Sequence, residues 1–332
     1  MKKPVILCAD NFYLSSKALE KLSEAGTVVW SKTSKEDDII TEAKEATVIA
    51  SEYGRITSRI IDLAPKLKAI SVWGVGYDHV DVEAASNRGI CVTNCRGANA
   101  ESVAEHTFTM LLVLSRRALA LDNFVRKGNW NMQQEVGLSP AMIPHDLYGK
   151  TIGIIGFGEI GSRVARIARG FDMRIVAYDP YVSEERLKEF GATAIPLESL
   201  LKVSDFVTVN TVLSPETRGM IGEAQLAQMK PTTILVNVSR GAVIDQAALS
   251  RALVAKKIAG AGLDVFIKEP VDLNDALLQL ENTVLSPHIA GGSQEALDST
   301  SMVLAEEICR VLGGGTPRNL VNRTQLQKLG FL

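Results

Sequence analysis

Short apolar runs rich in β-branched residues alternate with helical patterns along almost the whole chain. In the first part of the chain the runs lie at 4–10, 27–30, 47–51, 67–73 and 90–94. A second series follows at 151–156, 173–178, 205–210, 232–238, 258–266 and 282–288. Strands connected through helices form parallel sheets, and unbroken apolar runs are typical of strands covered on both faces. The alternation therefore predicts an α/β protein with two parallel-sheet domains, each Rossmann-like or flavodoxin-like.

Two longer helical patterns, 100–127 and 293–312, flank the second series. Between 128 and 149 the sequence has little periodicity and contains Pro140 and Pro144, which predicts an extended loop or arm. The length of 332 residues agrees with two domains of roughly 150 residues each.

Charge and cysteine content exclude several classes of protein. Lys and Arg number 36 against 38 Asp and Glu, and this net charge of −2 argues against nucleic-acid and membrane partners. Four cysteines are too few for a disulfide scaffold, and Cys91 and Cys95 lack the further ligands of a metal site. No apolar run matches a signal peptide or the roughly 18 residues that span a bilayer. We expect a soluble, cytoplasmic protein without a metal.

A glycine-rich segment follows the run 151–156 and opens an amphipathic helical pattern. It reads Gly156-Phe157-Gly158-Glu159-Ile160-Gly161. In a dinucleotide-binding turn the first glycine permits the tight turn, the second admits the pyrophosphate, and the third lets the helix pack closely on the strand. The alternative is a structural glycine turn in another Rossmann-like protein, such as a methyltransferase.

An acidic residue ends the next predicted strand. Asp179 lies 18 residues beyond Gly161, where a carboxylate accepts hydrogen bonds from a ribose 2′-hydroxyl and repels a 2′-phosphate. This position predicts NAD, rather than NADP, as the cofactor.

A nicotinamide-dependent dehydrogenase also needs a proton carrier, and it needs a cation if its substrate carries a carboxylate. The four histidines are His79, His106, His145 and His288. His288 follows a predicted strand, at the edge where α/β active sites gather, whereas the other three fit surface or packing positions.

Two more predicted strand ends carry charge. Arg240 follows the run 232–238, and its guanidinium can bind a carboxylate through two hydrogen bonds. Glu269 follows the run 258–266, and beside His288 it would favour the imidazolium and orient the ring. Each charge alone could be a solvated loop residue, but together they predict one catalytic group.

These residues lie in segments through which the chain resembles the D-isomer-specific 2-hydroxyacid dehydrogenases, in particular the phosphoglycerate dehydrogenase-like branch. The segments are GVGYDHVD (74–81), NAESVAEHT (99–107), TIGIIGFGEIG (151–161), YDPY (178–181), SPETRGMI (214–221), NVSRGAVID (237–245), GLDVFIKEP (262–270) and SPHIAGG (286–292). The resemblance implies that Arg240 binds substrate, that His288 is the acid/base and that Glu269 is its partner.

The resemblance implies further contacts. The backbone N–H groups of Val75 and Gly76 would hold the substrate carboxylate, and Asp264 would hold the nicotinamide amide. The other implied cofactor contacts are Thr107, Asn210, Thr211, Thr217 and Val238. The loop 210–217 departs from the family pattern, since it lacks the usual His and Pro.

The resemblance also implies the domain organisation. Residues 1–98 and 292–332 would form a discontinuous substrate-binding domain and 99–291 the NAD-binding domain, with the active site in the cleft between them. It implies a homodimer, and the arm 128–149 is a candidate for reaching the partner subunit.

Alternatives remain for the activity. Within the family, 3-phosphoglycerate oxidation competes with glyoxylate or hydroxypyruvate reduction, and Arg55 is a candidate cation for a phosphate. Outside catalysis, the chain could be an NAD(H)-sensing binding protein.

Overall fold

The computed structural model of the chain describes residues 3–130 and 143–332. Residues 131–142, the middle of the predicted arm 128–149, lie outside the described residues. The chain divides into two compact units, Met1–Asn99 with Gly292–Leu332, and Ala100–Gly291. Both are α/β units with parallel sheets, which confirms the predicted fold class.

The first unit is built on a five-stranded parallel sheet of order β2-β1-β3-β4-β5. Its strands are β1 (Val5–Cys8), β2 (Thr27–Trp30), β3 (Ala46–Ser51), β4 (Ala69–Val72) and β5 (Cys91–Thr93). The helices between them are α1 (Ser16–Ala25), α2 (Glu36–Ala43), α3 (Ser58–Asp62) and α4 (Val82–Asn87). Alternate β1 residues face opposite cores, Leu7 one and Ile6 the other, as the period of a strand requires.

The second unit is built on a seven-stranded parallel sheet of order β12-β11-β10-β9-β6-β7-β8. Its strands are β6 (Thr151–Ile155), β7 (Arg174–Tyr178), β8 (Ala192–Ala194), β9 (Phe206–Val209), β10 (Ile234–Asn237), β11 (Gly260–Leu263) and β12 (Thr283–Leu285). Its α-helices are α5 (Ala100–Ser115), α6 (Ala118–Arg126), α7 (Glu159–Gly170), α8 (Glu184–Glu189), α9 (Leu197–Val203), α10 (Glu223–Leu226) and α11 (Gln246–Val254). Short 3₁₀ turns cover Gly241–Val243 and Ala276–Gln279.

The last part of the chain returns to the first unit as α12 (Gln294–Leu312) and α13 (Arg323–Lys328). The Ser293 hydroxyl caps α12 by accepting a hydrogen bond from the Ala296 N–H. Within residues 3–130 and 143–332, every helix is too short or too polar to cross a lipid bilayer.

The order of the second sheet fixes where a ligand can bind. The chain leaves the interior strand β6 toward β7 and β8, and then resumes on the other side of β6 with β9. The gap between the carboxyl ends of β6 and β9 is therefore a topological switch point, where ligands of open α/β sheets bind.

Two details differ from the sequence prediction. The single helix predicted over 100–127 is broken, because Arg117 adopts a left-handed backbone with φ of 54°. The Ser115 carbonyl accepts a hydrogen bond from the His145 N–H instead of from the next helical turn. Strand β8 and helices α9 and α13 were not predicted, since a strand of three residues and helices of six or seven are too short for a clear periodic pattern.

Candidate active site

The glycine segment forms a tight turn at the switch point. Gly156 follows β6 with φ of 87°, in the left-handed region that favours glycine. A Cβ on Gly156 would lie 2.8 Å from the backbone of Asn210 and Thr211, which follow β9. A Cβ on Gly161 would lie 2.2 Å from the Gly156 carbonyl oxygen. These two glycines therefore permit the close approach of turn, strand and helix.

Gly158 differs from its neighbours, because a Cβ there would meet no protein atom within 4 Å. Gly158 is the N-cap of α7 and has no side chain to occupy the first-turn N–H groups. Open space in front of a helix N-terminus, with its N–H groups and positive dipole, is what a pyrophosphate needs. The cradle thus fits the phosphates of a dinucleotide. Of the intervening residues, Phe157 is buried against Phe190, Ile160 is half-buried against the core, and Glu159 lies in the first turn of the helix.

Asp179 lies beside this cradle, after β7. Its carboxylate accepts a hydrogen bond of 2.7 Å from the Phe157 N–H and one of 2.9 Å from the Tyr181 N–H. The residue predicted to bind the ribose therefore also ties the glycine turn to the end of the neighbouring strand.

Asn210 offers a second group to a ligand at the switch point. Its Nδ2 donates to the Thr208 hydroxyl at 3.0 Å, while its buried Oδ1 has no hydrogen-bond partner among the described residues. A buried acceptor without a donor is costly, and a bound cofactor could supply the donor.

Three adjacent strand ends of the second unit bring the predicted catalytic residues together. Arg240 follows β10, and the Asn237 side chain fixes its turn by donating to the Arg240 carbonyl at 3.0 Å. A Cβ on Gly241 would lie 2.0 Å from the Phe266 carbonyl carbon, so this turn packs directly on the chain that follows β11. The Arg240 guanidinium is thereby held near the segment that carries Glu269.

His288 and Glu269 form a direct pair. The His288 Nδ1 lies 2.8 Å from the Glu269 Oε2, and the other carboxylate oxygen accepts from the Phe266 N–H at 2.9 Å. Both side chains are partly exposed, His288 by 29% and Glu269 by 37%. The pair engages Nδ1 and so fixes the orientation of the ring.

The charge state of Glu269 follows from its neighbours. Burial would raise the pKa of its carboxyl, but the hydrogen bonds from His288 and from the Phe266 N–H act in the opposite direction. The positive charges of His288 and Arg240 also lower the pKa of Glu269, and the net result is a pKa below the ordinary value of 4.5. The carboxylate form that orients His288 is thus the stable form at neutral pH.

Asp264, which follows β11, is buried with 1% of its surface exposed. Its carboxylate accepts hydrogen bonds from the Ser286 hydroxyl and from the N–H groups of Ile289 and Ala290. The side chain is therefore engaged with the loop that carries His288.

Two residues of this network were not predicted as functional. His106 of α5 lies with its Nε2 2.9 Å from the Ser286 hydroxyl, although the sequence pattern favoured a packing role for His106. Ser286 stands two positions before His288, which is the one sequence signal that could have pointed to it.

In the first unit, Val75 and Gly76 follow β4. Of the residues in 3–130 and 143–332, none accepts a hydrogen bond from the N–H of either residue. The Asn94 side chain holds the loop by donating to the Val75 carbonyl at 2.8 Å. Successive bare N–H groups of this kind can bind an anion.

Asp10, which sequence reasoning also missed, closes a different loop of the first unit. Its carboxylate accepts from the N–H groups of Glu52, Tyr53 and Gly54 at 2.5 to 3.0 Å. These N–H groups follow β3 and Asp10 follows β1, so an internal carboxylate occupies the switch point of the five-stranded sheet.

Three other predicted cofactor contacts have local roles. The Thr107 hydroxyl is buried and donates to the Val103 carbonyl of its own helix at 2.8 Å. The Thr217 hydroxyl donates to the Val212 carbonyl at 2.6 Å and so closes its own turn. Val238 is buried in the core, so its side chain packs on protein atoms. The structure does not bring these side chains into the catalytic group.

A dinucleotide cradle and a histidine–glutamate pair at the carboxyl edge of one sheet define a nicotinamide-dependent oxidoreductase. Residues 108–290 match the family model described as the D-isomer specific 2-hydroxyacid dehydrogenase, NAD binding domain. The chain belongs to the D-isomer-specific 2-hydroxyacid dehydrogenase family, and it is an NAD-dependent enzyme that acts on 2-hydroxy or 2-oxo acids.

Several relatives support this assignment. A glyoxylate reductase from Korarchaeum cryptofilum is 46% identical over 269 residues, which cover 81% of this chain and 80% of that protein. A glyoxylate reductase from Aeropyrum pernix is 40% identical over the full length of both proteins. Among solved structures, D-lactate dehydrogenase from Aquifex aeolicus, complexed with NAD and lactic acid, superposes with a TM-score of 0.82 at 30% identity and 98% coverage of each chain.

The open space at Gly158 gives a direct test of the cradle. Gly158→Ala places a methyl group where the pyrophosphate would lie, and we expect NADH affinity, measured by calorimetry, to fall about 10- to 100-fold. The thermal midpoint should not change, since the added Cβ meets no protein atom within 4 Å.

Gly170→Ala is the matched control. Gly170 ends the same helix and likewise has open space around its missing Cβ, but it lies at the opposite terminus. An equal loss of NADH affinity in both variants would contradict the cradle.

Proposed function

We propose that this enzyme is a glyoxylate reductase that uses NADH and reduces small 2-oxo acids to the corresponding 2-hydroxy acids. The observation that supports the catalytic part of this proposal is the 2.8 Å contact of His288 with Glu269. Glu269 follows β11, and the neighbouring strand β10 precedes Arg240. Glyoxylate is favoured as substrate because similar proteins that span most or all of this chain are named glyoxylate reductases.

The proposal gives each residue a role. The Val75 and Gly76 N–H groups bind the substrate carboxylate. Arg240 binds the carboxylate and polarises the C2 carbonyl, since a guanidinium can donate two parallel hydrogen bonds. NADH, when bound, supplies the hydride. His288 donates its proton to the carbonyl oxygen through Nε2, and Glu269 stabilises the imidazolium before transfer.

The same proposal assigns the units. We infer that residues 1–98 with 292–332 form the substrate-binding domain and that 99–291 form the NAD-binding domain. Support comes from the bare N–H groups in the first unit and from the glycine cradle in the second.

The loop 52–54 argues against a phosphorylated substrate. Binding of a substrate phosphate would require hydrogen-bond donors near 53–57, where Arg55 is the candidate cation. The three N–H groups at 52–54 already bind the Asp10 carboxylate, whose charge would also repel a phosphate. This contact favours glyoxylate over 3-phosphohydroxypyruvate.

A substrate panel tests the proposal. NADH oxidation is followed with glyoxylate, hydroxypyruvate, pyruvate and 3-phosphohydroxypyruvate. We expect the highest kcat/KM for glyoxylate and a value at least ~10-fold lower for the phosphorylated acid, since a mismatch of one charged contact costs about 1.5–3 kcal/mol. A preference for 3-phosphohydroxypyruvate would instead support a phosphoglycerate dehydrogenase. Tight NADH binding without turnover of any acid would support an NAD(H)-sensing protein.

Cofactor preference tests Asp179. We expect KM for NADPH to exceed KM for NADH by at least ~10-fold, because the carboxylate repels a 2′-phosphate. Asp179→Ser should lower the ratio of KM for NADPH to KM for NADH. It should also raise both KM values, since the carboxylate also holds the Phe157 and Tyr181 N–H groups. Glu184→Gln, an exposed carboxylate of the same unit, is the control. If KM for NADH and KM for NADPH are equal in the wild type, Asp179 does not select the cofactor.

We also propose a cytoplasmic homodimer, on the family resemblance. Light scattering after size exclusion should give twice the chain mass of 35.9 kDa. A mass of one chain would contradict the dimer without affecting the catalytic proposal.

A further inference from the structure

The backbone of His288 is strained. Its φ is 54°, in the left-handed region that β-carbons disfavour, and such a conformation persists only where the surroundings enforce it. Strain of this kind is often found at active sites. The residues that enforce it therefore contribute to where the imidazole lies.

One buried residue provides most of the restraint. The Asp264 carbonyl accepts from the His288 N–H at 2.8 Å, and the Asp264 carboxylate accepts from the next two N–H groups, those of Ile289 and Ala290, at 2.8 and 2.9 Å. Three successive N–H groups of the catalytic loop thus bind one aspartate.

Helix α5 holds the same loop from the other side. Ser102 donates to the Ala290 carbonyl at 2.8 Å, and His106, one turn further along, lies 2.9 Å from the Ser286 hydroxyl. Residues four apart lie on one face of a helix, so both contacts come from the same face.

The direction of the hydrogen bonds follows from the chemistry of the groups. A carboxylate can only accept, so the Ser286 hydroxyl proton goes to Asp264. The Ser286 oxygen then has only lone pairs for His106, and the His106 Nε2 must carry a proton. The chain of donors runs from His106 through Ser286 to Asp264.

We propose that His106, Ser286 and Asp264 are positioning residues that hold His288 in its strained, catalytically competent conformation. The inference rests on the proposed function, because it gives His288 the role of proton donor. It gives Asp264 a role in holding the catalytic loop, in addition to the nicotinamide contact that the family resemblance implies. His106 acts through the loop and has no role in proton transfer.

Kinetics test the proposal. Ser286→Ala and His106→Leu should lower kcat for glyoxylate reduction about 10- to 100-fold, since a small displacement of a catalytic group has effects of this size. KM for NADH should stay within about twofold, because the glycine cradle is untouched. His106→Gln retains an N–H donor at a similar reach and should restore most of the lost kcat.

Thr109→Val is the matched control. Thr109 lies on the exposed face of α5 and donates only to the Glu105 carbonyl of its own helix. It should leave kcat unchanged. If His106→Leu and Ser286→Ala retain full kcat, or if His106→Gln is as impaired as His106→Leu, the positioning role is wrong.

Two further measurements do not depend on activity. ¹⁵N NMR of the histidine rings should identify His106 as the Nε2–H tautomer in the wild type, and the Nδ1–H tautomer would overturn the donor chain. Amide exchange at Ile289 and Ala290 should accelerate at least ~10-fold in Ser286→Ala. If the wild type reduced no 2-oxo acid, the proposed function would fail, while these two measurements would still decide whether the loop is held as inferred.

Discussion

Replacing His288 with alanine should lower kcat for glyoxylate reduction by about 10²–10⁴, the usual contribution of a positioned general acid. The ring is the proton donor of a pair whose other member, Glu269, lies 2.8 Å from its Nδ1. NADH affinity should persist, because the glycine cradle lies at a different strand end. Stopped-flow measurement of a single turnover would isolate the chemical step from product release.

His145→Ala is the control for this experiment. His145 is an exposed imidazole in the same unit, and its removal should leave kcat unchanged. A His288→Ala enzyme with turnover near that of the wild type would rule out His288 as the proton carrier. It would leave the dinucleotide cradle intact as a separate conclusion.

Replacing Arg240 with alanine should lower kcat/KM by about 10²–10³, because loss of one partner of a charged hydrogen-bonded pair costs roughly 2–5 kcal/mol. Most of the effect should fall on KM for the 2-oxo acid, with a smaller effect on kcat from lost polarisation of the C2 carbonyl. Arg240→Lys should recover part of the activity only, since an ammonium cannot reproduce the planar two-donor geometry.

The same variant has a pH signature. The Arg240 charge is one cause of the lowered pKa of Glu269, so Arg240→Ala should raise that pKa. Protonation of Glu269 removes the partner of His288, and the acidic fall in activity should therefore begin at a higher pH than in the wild type. Arg240→Lys keeps the charge and should keep the wild-type profile.

Arg251→Ala serves as the control for both readouts, since Arg251 lies on the exposed surface of α11 and pairs with Glu223 at 3.0 Å. Unchanged kcat/KM in Arg240→Ala would show that substrate does not bind this guanidinium.

Local patterns were sufficient to predict much of the site. The glycine spacing defines a turn within six residues, and it could be recognised because its strand and helix are adjacent in sequence. Arg240, Glu269 and His288 could be grouped because carboxyl ends of parallel strands meet at one edge of a sheet. That argument needs only the strand boundaries.

The restraints on these residues could not be predicted in the same way. The contact of His106 with Ser286 joins positions 180 residues apart, and no periodicity marks such a pair. The end of α5 before Arg117 depends on the Ser115 carbonyl, which accepts a hydrogen bond from the His145 N–H, and this is again a tertiary contact. In the sequence, Asp10 is one of several acids that follow a strand. Its contact with the N–H groups of 52–54 joins positions more than 40 residues apart, so no local pattern indicates it.

The Asp10 contact also bears on how many nucleotides one polypeptide can carry. In both sheets the chain leaves an interior strand toward one edge and then resumes on the other side of that strand, and a turn of N–H groups lies at the resulting gap. In the second sheet open space lies at Gly158, whereas in the first sheet the Asp10 carboxylate accepts hydrogen bonds from the N–H groups of Glu52, Tyr53 and Gly54. The duplicated architecture is thus functionally asymmetric, and titration with NADH should saturate at a stoichiometry of one.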